Sequence, residues 1–136
     1  MISCIIPKCY SKYVNYGDTF TLNYVKIVTD FFEEENMVRH IVLWKLKDEL
    51  STEEKNKVKK ELKEALENLK NKISEIVEIK VNIEGMEGST VDVLLETVFE
   101  NEAALKVYAG HPDHVAVGTE KIKPFMAERI CYDYEF

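Results

Sequence analysis

Apolar and polar positions change their period several times between Met37 and Phe136. Val38 to Leu46 (VRHIVLWKL) is short and rich in β-branched and aromatic residues, which predicts a strand. Both parities carry apolar groups. Val42, Trp44 and Leu46 share a side with His40, and Ile41 and Leu43 lie opposite, so cover is expected on both faces. Ser51 followed three residues later by Glu54 forms a capping-box signature and predicts a helix start. Val58, Leu62, Ala65, Leu66, Leu69 and Ile73 then recur at steps of three and four, one apolar stripe on a helix running to about residue 70. The Lys and Glu residues between them read as its solvated face.

Val77, Ile79, Val81 and Ile83 alternate with polar residues and predict a second strand. Gly85-Met86-Glu87-Gly88 turns the chain, and Thr90 to Phe99 (TVDVLLETVF) predicts a third strand. Asn101 suits the cap of a short helix through Tyr108, with Gly110 placed to end it. Pro112 suits the first position of the next helix and pushes His111 into an extended conformation. That helix is expected to run through Lys121. Arg129 to Phe136 (RICYDYEF) is the last strand, with Ile130, Tyr132, Tyr134 and Phe136 on one side and Cys131 and Asp133 on the other. The order β-α-β-β-α-β, with its second helical region broken in two, predicts an α+β, ferredoxin-like fold around a four-stranded antiparallel sheet.

Helices on one side of such a sheet leave its other face open. Here either parity of strand 1, and the Val91, Val93 and Leu95 side of strand 3, would present a large apolar patch, which monomers rarely tolerate. A homodimer pairing two sheets face to face into a dimeric α/β barrel covers it, and the space between the sheets could then hold a ligand.

The texture differs before Met37. Residues 1–36 hold Cys4 and Cys9 and no histidine, and the junction reads Phe31-Phe32-Glu33-Glu34-Glu35-Asn36-Met37. In-frame purine-rich codons ahead of a start codon would read this way. Met37 is therefore the expected natural start, with residues 1–36 an N-terminal extension or a misassigned leader. The other reading is a true extension whose strand-like Thr19 to Val28 adds an edge strand. The intact mass of protein made from the native gene decides between them.

Composition narrows the function. With 18 basic against 25 acidic residues and a net charge of −7, the chain lacks the basic stripe that nucleic acid or an anionic membrane requires. No apolar run is long enough to span a bilayer. Three scattered cysteines, Cys4, Cys9 and Cys131, make no disulfide framework, which points to a reducing cytoplasm. The five glycines are scattered and form no phosphate loop, and no cofactor is expected.

Three segments carry a family resemblance: VRHIVLWKLKDE, ETVFENEAALKVYAGHPDHVAVG and IKPFMAERICYDYEF, in that order over Met37 to Phe136. Together they resemble the stress-responsive A/B barrel (Dabb) family, which implies a dimeric α/β barrel. Functions in that family are mostly undefined. One plant branch is a polyketide cyclase whose catalytic tyrosine and histidine correspond, through the Tyr-x-x-His-Pro-x-His block, to Tyr108 and His114. Its strand-1 histidine matches His40 and its last-strand aspartate matches Asp133. Another pocket histidine of that branch is replaced here by Val93. The implied substrate-binding set is His40, Trp44, Val93 and Asp133. Monooxygenases of related dimeric barrels share the architecture and nothing more specific.

The same residues can be read from their chemistry. His114 in the first turn of a helix feels the positive end of the dipole, which favours the neutral ring. Beside the Tyr108 hydroxyl it could abstract a proton next to a carbonyl while the tyrosine bonds the developing enolate. Alternatively, His114 caps the helix or bonds a backbone carbonyl and only positions the turn. His111 reads as structural. His40 on an apolar strand reads as a satisfied buried polar group, and Asp133 needs a partner, His40 or His114. If the bulky side of the last strand packs on the helices, Asp133 points into the barrel. Zinc on His111, His114, Cys131 and Asp133 is conceivable, but an extended His111 and a helical His114 do not share a helical face, so no metal is expected. The first hypothesis is a barrel that binds a modest, largely apolar carbonyl compound and catalyses proton transfer or cyclisation. The second is a non-catalytic, stress-related dimer with a filled interior.

Overall fold

A computed structural model describes residues 36–136. The expected leader up to residue 35, with its strand-like segment 19–28, lies outside the described residues.

β1 (Val38–Leu46) leads into α1 (Thr52–Glu67), which ends in a 3-10 turn over Asn68–Asn71. β2 (Ile76–Asn82) and β3 (Val93–Phe99) follow. Then come α2 (Glu102–Gly110), α3 (Pro112–Val117), a π-helical turn over Gly118–Ile122, and β4 (Met126–Glu135). The four strands lie in the order β2-β3-β1-β4, with every neighbouring pair antiparallel. This is the expected ferredoxin-like α+β fold.

Local signals account for the helices. The Ser51 hydroxyl accepts from the Glu54 N–H at 3.2 Å while the Glu54 carboxylate accepts from the Ser51 N–H at 2.7 Å, a complete capping box. The bond from the Ser51 N–H first, and then the Ser51 hydroxyl, hold the Glu54 carboxyl below its ordinary pKa. Asn101 caps α2 through the Ala104 N–H, and Pro112 opens α3. The helix expected through Lys121 is α-helical to Val117 and continues as the π turn through Ile122.

Register decides which residues meet the helices. His40 lies opposite Thr97 and Asp133, Val42 opposite Leu95 and Cys131, and Trp44 opposite Val93 and Arg129. Residues directly opposite share a face. Val42, Trp44, Val93, Leu95 and Phe99 are buried with Leu62, Leu66 and Tyr108, so this is the face the helices cover. The outer face carries Ile41 and Leu43 of β1, Leu94, Glu96 and Val98 of β3, and Ile130 and Tyr132 of β4.

Three readings are corrected here. Val93 and Leu95 pack inward and leave no exposed patch, and the bulky side of β4 faces away from the helices, with Ile130 and Tyr132 more than half exposed. In β2, Val77 does not share the buried side of Ile79 and Val81. The register shifts between Ile76 and Glu78, so Ile76 is buried and Val77 is exposed as the extra residue of a bulge.

β2 is an edge strand, and α1 covers part of that edge. The Glu67 carboxylate accepts from the Val81 N–H at 3.0 Å, and Lys63 donates to the Val81 carbonyl at 2.6 Å and to Glu67 at 2.7 Å. Burial alone would raise the Glu67 pKa, but the bonds from Lys63 and Val81 and the Lys63 charge outweigh it and leave the net shift downward. The pairing satisfies backbone groups that another chain could otherwise use. Among the described residues no helix is long and apolar enough to cross a membrane.

Candidate functional site

A cavity of about 340 Å³ lies between the helical layer and the inner face of the sheet. β1 lends it His40, Val42 and Trp44; β3 lends Leu95; β4 lends Met126 and Arg129. Leu66 of α1, His114 of α3, Gly118 and Ile122 of the π turn, and Lys123 complete the wall. The widened turn therefore borders the cavity, a common setting for π-helical irregularities. The cavity expected between two face-to-face sheets is instead inside the single chain, because the parity carrying His40 and Trp44 turns toward the helices.

The histidines are each held through one ring nitrogen. His40 Nδ1 is 2.5 Å from Asp133 Oδ1, and since the carboxylate accepts, the ring donates. His114 Nδ1 donates to the Ala109 carbonyl at 3.1 Å. Both rings thus carry a proton on Nδ1, and Nε2 of a neutral His114 ring keeps its lone pair. Both also pack on Tyr108, whose ring centroid lies 4.3 Å from that of His114 and 6.0 Å from that of His40.

Tyr108 lies behind His114 and is not part of the cavity wall. It is 1% exposed, and neither its hydroxyl nor that of Thr97 has a hydrogen-bond partner among the described residues. Burial pushes its pKa up to about 12, with the neighbouring Thr97 hydroxyl and the Arg129 charge opposing the rise. Thr97 is close enough to exert that influence but does not meet Tyr108 in hydrogen-bonding geometry.

The remaining sequence candidates divide. Trp44 is on the wall, and its indole N–H is buried without a partner. Val93 is packed in the core beside Trp44 and does not reach the wall. Asp133 is not on this wall and borders a second recess of about 210 Å³ with Val38, Leu105 and Tyr134. Its partner is His40, one of the two expected. His111 accepts from the Asp113 N–H at 3.2 Å, the structural role anticipated for it. Arg129 and Lys123 were not singled out. Arg129 has the parity of Cys131 and Asp133, which was the available signal.

The family described as Stress responsive A/B Barrel Domain, or Dabb, matches residues 38–136. The chain belongs to the Dabb family. This Dabb chain is similar to a dimeric protein of unknown function with a ferredoxin-like fold from Bacteroides fragilis, at 44% identity over 74% of this chain and 96% of that one, with a TM-score of 0.70. A Dabb protein with a ferredoxin-like fold from Mesorhizobium loti is 23% identical over 73% of this chain and 95% of that one, with a TM-score of 0.58. A hydroxynitrile lyase from Passiflora edulis is 20% identical over 75% of this chain and 94% of that one, with a TM-score of 0.63. The last two likenesses show the fold alone. No match is found among curated proteins.

Within this Dabb domain, burial lowers the His114 pKa, opposed by its bond to the Ala109 carbonyl and reinforced by the charges of His40, Arg129 and His111. The ring is therefore neutral near neutral pH and fit to accept a proton. His40, Cys131 and Asp133 also bring three potential metal ligands within 4.8 Å of one another. The direct His40–Asp133 bond already employs two of them. Burial first, and then the Asp133 charge, raise the Cys131 pKa, so a metal would have to displace the proton from its sulfur.

Proposed function

We propose that this Dabb domain binds a modest, largely apolar carbonyl compound in the cavity between helices and sheet and promotes proton transfer at the carbon next to the carbonyl. One observation carries the reading: His40 and His114 both border the cavity with Nδ1 engaged elsewhere. His114 is the base. His40, oriented by Asp133, presents a second imidazole whose Nε2, when it carries a proton, donates to the carbonyl oxygen. Tyr108 positions His114 by packing its ring against the imidazole. Trp44 supplies apolar wall. Abstraction of the α-proton by Nε2 of His114 would leave an enolate, which can be reprotonated or attack a second carbonyl to close a ring. The base then returns its proton, so the step is redox-neutral.

The chain acts as a homodimer through the outer face of the sheet. Ile130 is 53% exposed and Tyr132 66% exposed on that face, and the Bacteroides fragilis relative is dimeric. Cys131, a free and exposed thiol, suits the reducing cytoplasm. The filled-interior alternative has less support, because a hollow of this volume is present.

Two measurements test the reading: deuterium incorporation at the α-carbon of acetophenone followed by NMR, and thermal shift against a panel of small ketones. Wild type is expected to accelerate exchange and to be stabilised by at least one ketone, with both effects reduced in His114→Ala. Equal behaviour of the two proteins would remove His114 from the site.

A further inference from the structure

We propose that the cavity is an anion site, and that its natural ligand carries a carboxylate held by Arg129 and Lys123 while an apolar body fills the space behind. This rests on the cavity being a ligand site, and it names the ligand's charge.

The charge pattern of the wall is the first observation. Its ionisable members are His40, His114, Lys123 and Arg129, and no Asp or Glu borders it. The chain as a whole has 25 acidic and 18 basic residues. A randomly drawn wall would be enriched in carboxylates, and the overall field repels anions, so a local cationic lining calls for a local cause.

The second observation is that these two cations, Arg129 and Lys123, are free of ion pairs among the described residues. Both side chains are exposed, so they can meet a ligand without first breaking a buried contact. Arginine also offers paired N–H donors that match the two oxygens of a carboxylate.

The third is placement. Arg129 stands opposite Trp44 in the β1–β4 pair, and its charge is felt at both His114 and Tyr108. A carboxylate on Arg129 therefore sits beside the imidazoles. The rest of the wall, Val42, Trp44, Leu66, Leu95, Ile122 and Met126, is hydrocarbon, aromatic or thioether. A ligand with one charged end and an apolar body matches this division.

The test is calorimetric titration of the full chain with phenylacetate and 4-phenylbutyrate, each against its neutral primary amide. The carboxylates are expected to bind about tenfold or more tightly than the amides, as a charge-assisted bond predicts. Arg129→Gln should remove most of that preference, Lys123→Gln part of it, and added sodium chloride should weaken carboxylate binding alone. Circular dichroism of each variant confirms that it is folded. His114→Ala should retain the preference for the charged member of each pair. Equal binding of acid and amide would overturn the anion site and leave the ligand cavity standing. Failure of every probe to bind would overturn both.

Discussion

His40 and Asp133 face each other across the β1–β4 pair, Nδ1 to Oδ1 at 2.5 Å, with the ring buried and the carboxylate at the rim. The Asp133 side chain is 43% exposed, so solvent screens the pair and its value is orientation more than stability. Asp133→Ala is expected to cost no more than about 1 kcal/mol in chemical denaturation. It should also let the His40 ring populate both tautomers. Nitrogen-15 NMR of the imidazole reads this directly, and an unchanged Nδ1–H population would show that Asp133 does not orient the ring.

The shift at His114 makes stability depend on pH in one direction. Its folded pKa lies below the ordinary 6.5, chiefly through burial, so the unfolded chain takes up a proton first as pH falls. Stability from this group is fully present above the unfolded value and declines as pH drops through it toward the folded value. Melting temperature should therefore fall between about pH 7.5 and about pH 5 more steeply in wild type than in His114→Gln. Parallel slopes would mean that His114 is not a buried neutral ring.

Tyr108 separates packing from chemistry. Tyr108→Ala removes a ring buried against Phe99, His40 and His114, and is expected to cost about 3–5 kcal/mol. Tyr108→Phe removes only a buried hydroxyl without a partner, so stability should hold or rise by about 1 kcal/mol. If α-proton exchange then falls while urea denaturation is unchanged, the hydroxyl acts on the ligand. If exchange is unaffected, Tyr108 serves only to support His114.

The outer sheet face gives the assembly prediction. Tyr132 lies opposite Ile41, and Ile130 opposite Leu43. Tyr132→Glu or Ile130→Glu places a charge amid that surface and should shift the protein from dimer to monomer in light scattering, with the far-ultraviolet circular dichroism spectrum retained. A wild-type monomer at micromolar concentration would sink the proposed homodimer.

Much of the fold was legible because local chemistry repeats at fixed spacing. Ser51 and Glu54 announced α1, Asn101 announced α2, and Pro112 announced α3, since each satisfies orphan N–H groups or fits the first helical turn. Asp133 was legible as needing a partner, His40 or His114, because a carboxylate turned inward requires one; the register selected His40. Val77 was misplaced, because a bulge reverses parity without leaving a compositional mark. Arg129 and Lys123 were passed over, because an exposed cation at a strand end looks like any solvated residue until the wall around it is known.

The sequence by itself determined the element order, the helix caps and the presence of two apolar sheet faces, because periodicity and capping act within a few residues. Only the tertiary structure decided which face the helices cover. A strand that is apolar on both sides, such as β1, satisfies either choice locally. The inward rows of Val42, Leu95 and Val81 against Leu62 and Leu66 settle it. That choice sent His40 and Trp44 toward the helices, where His114 meets them around the hollow.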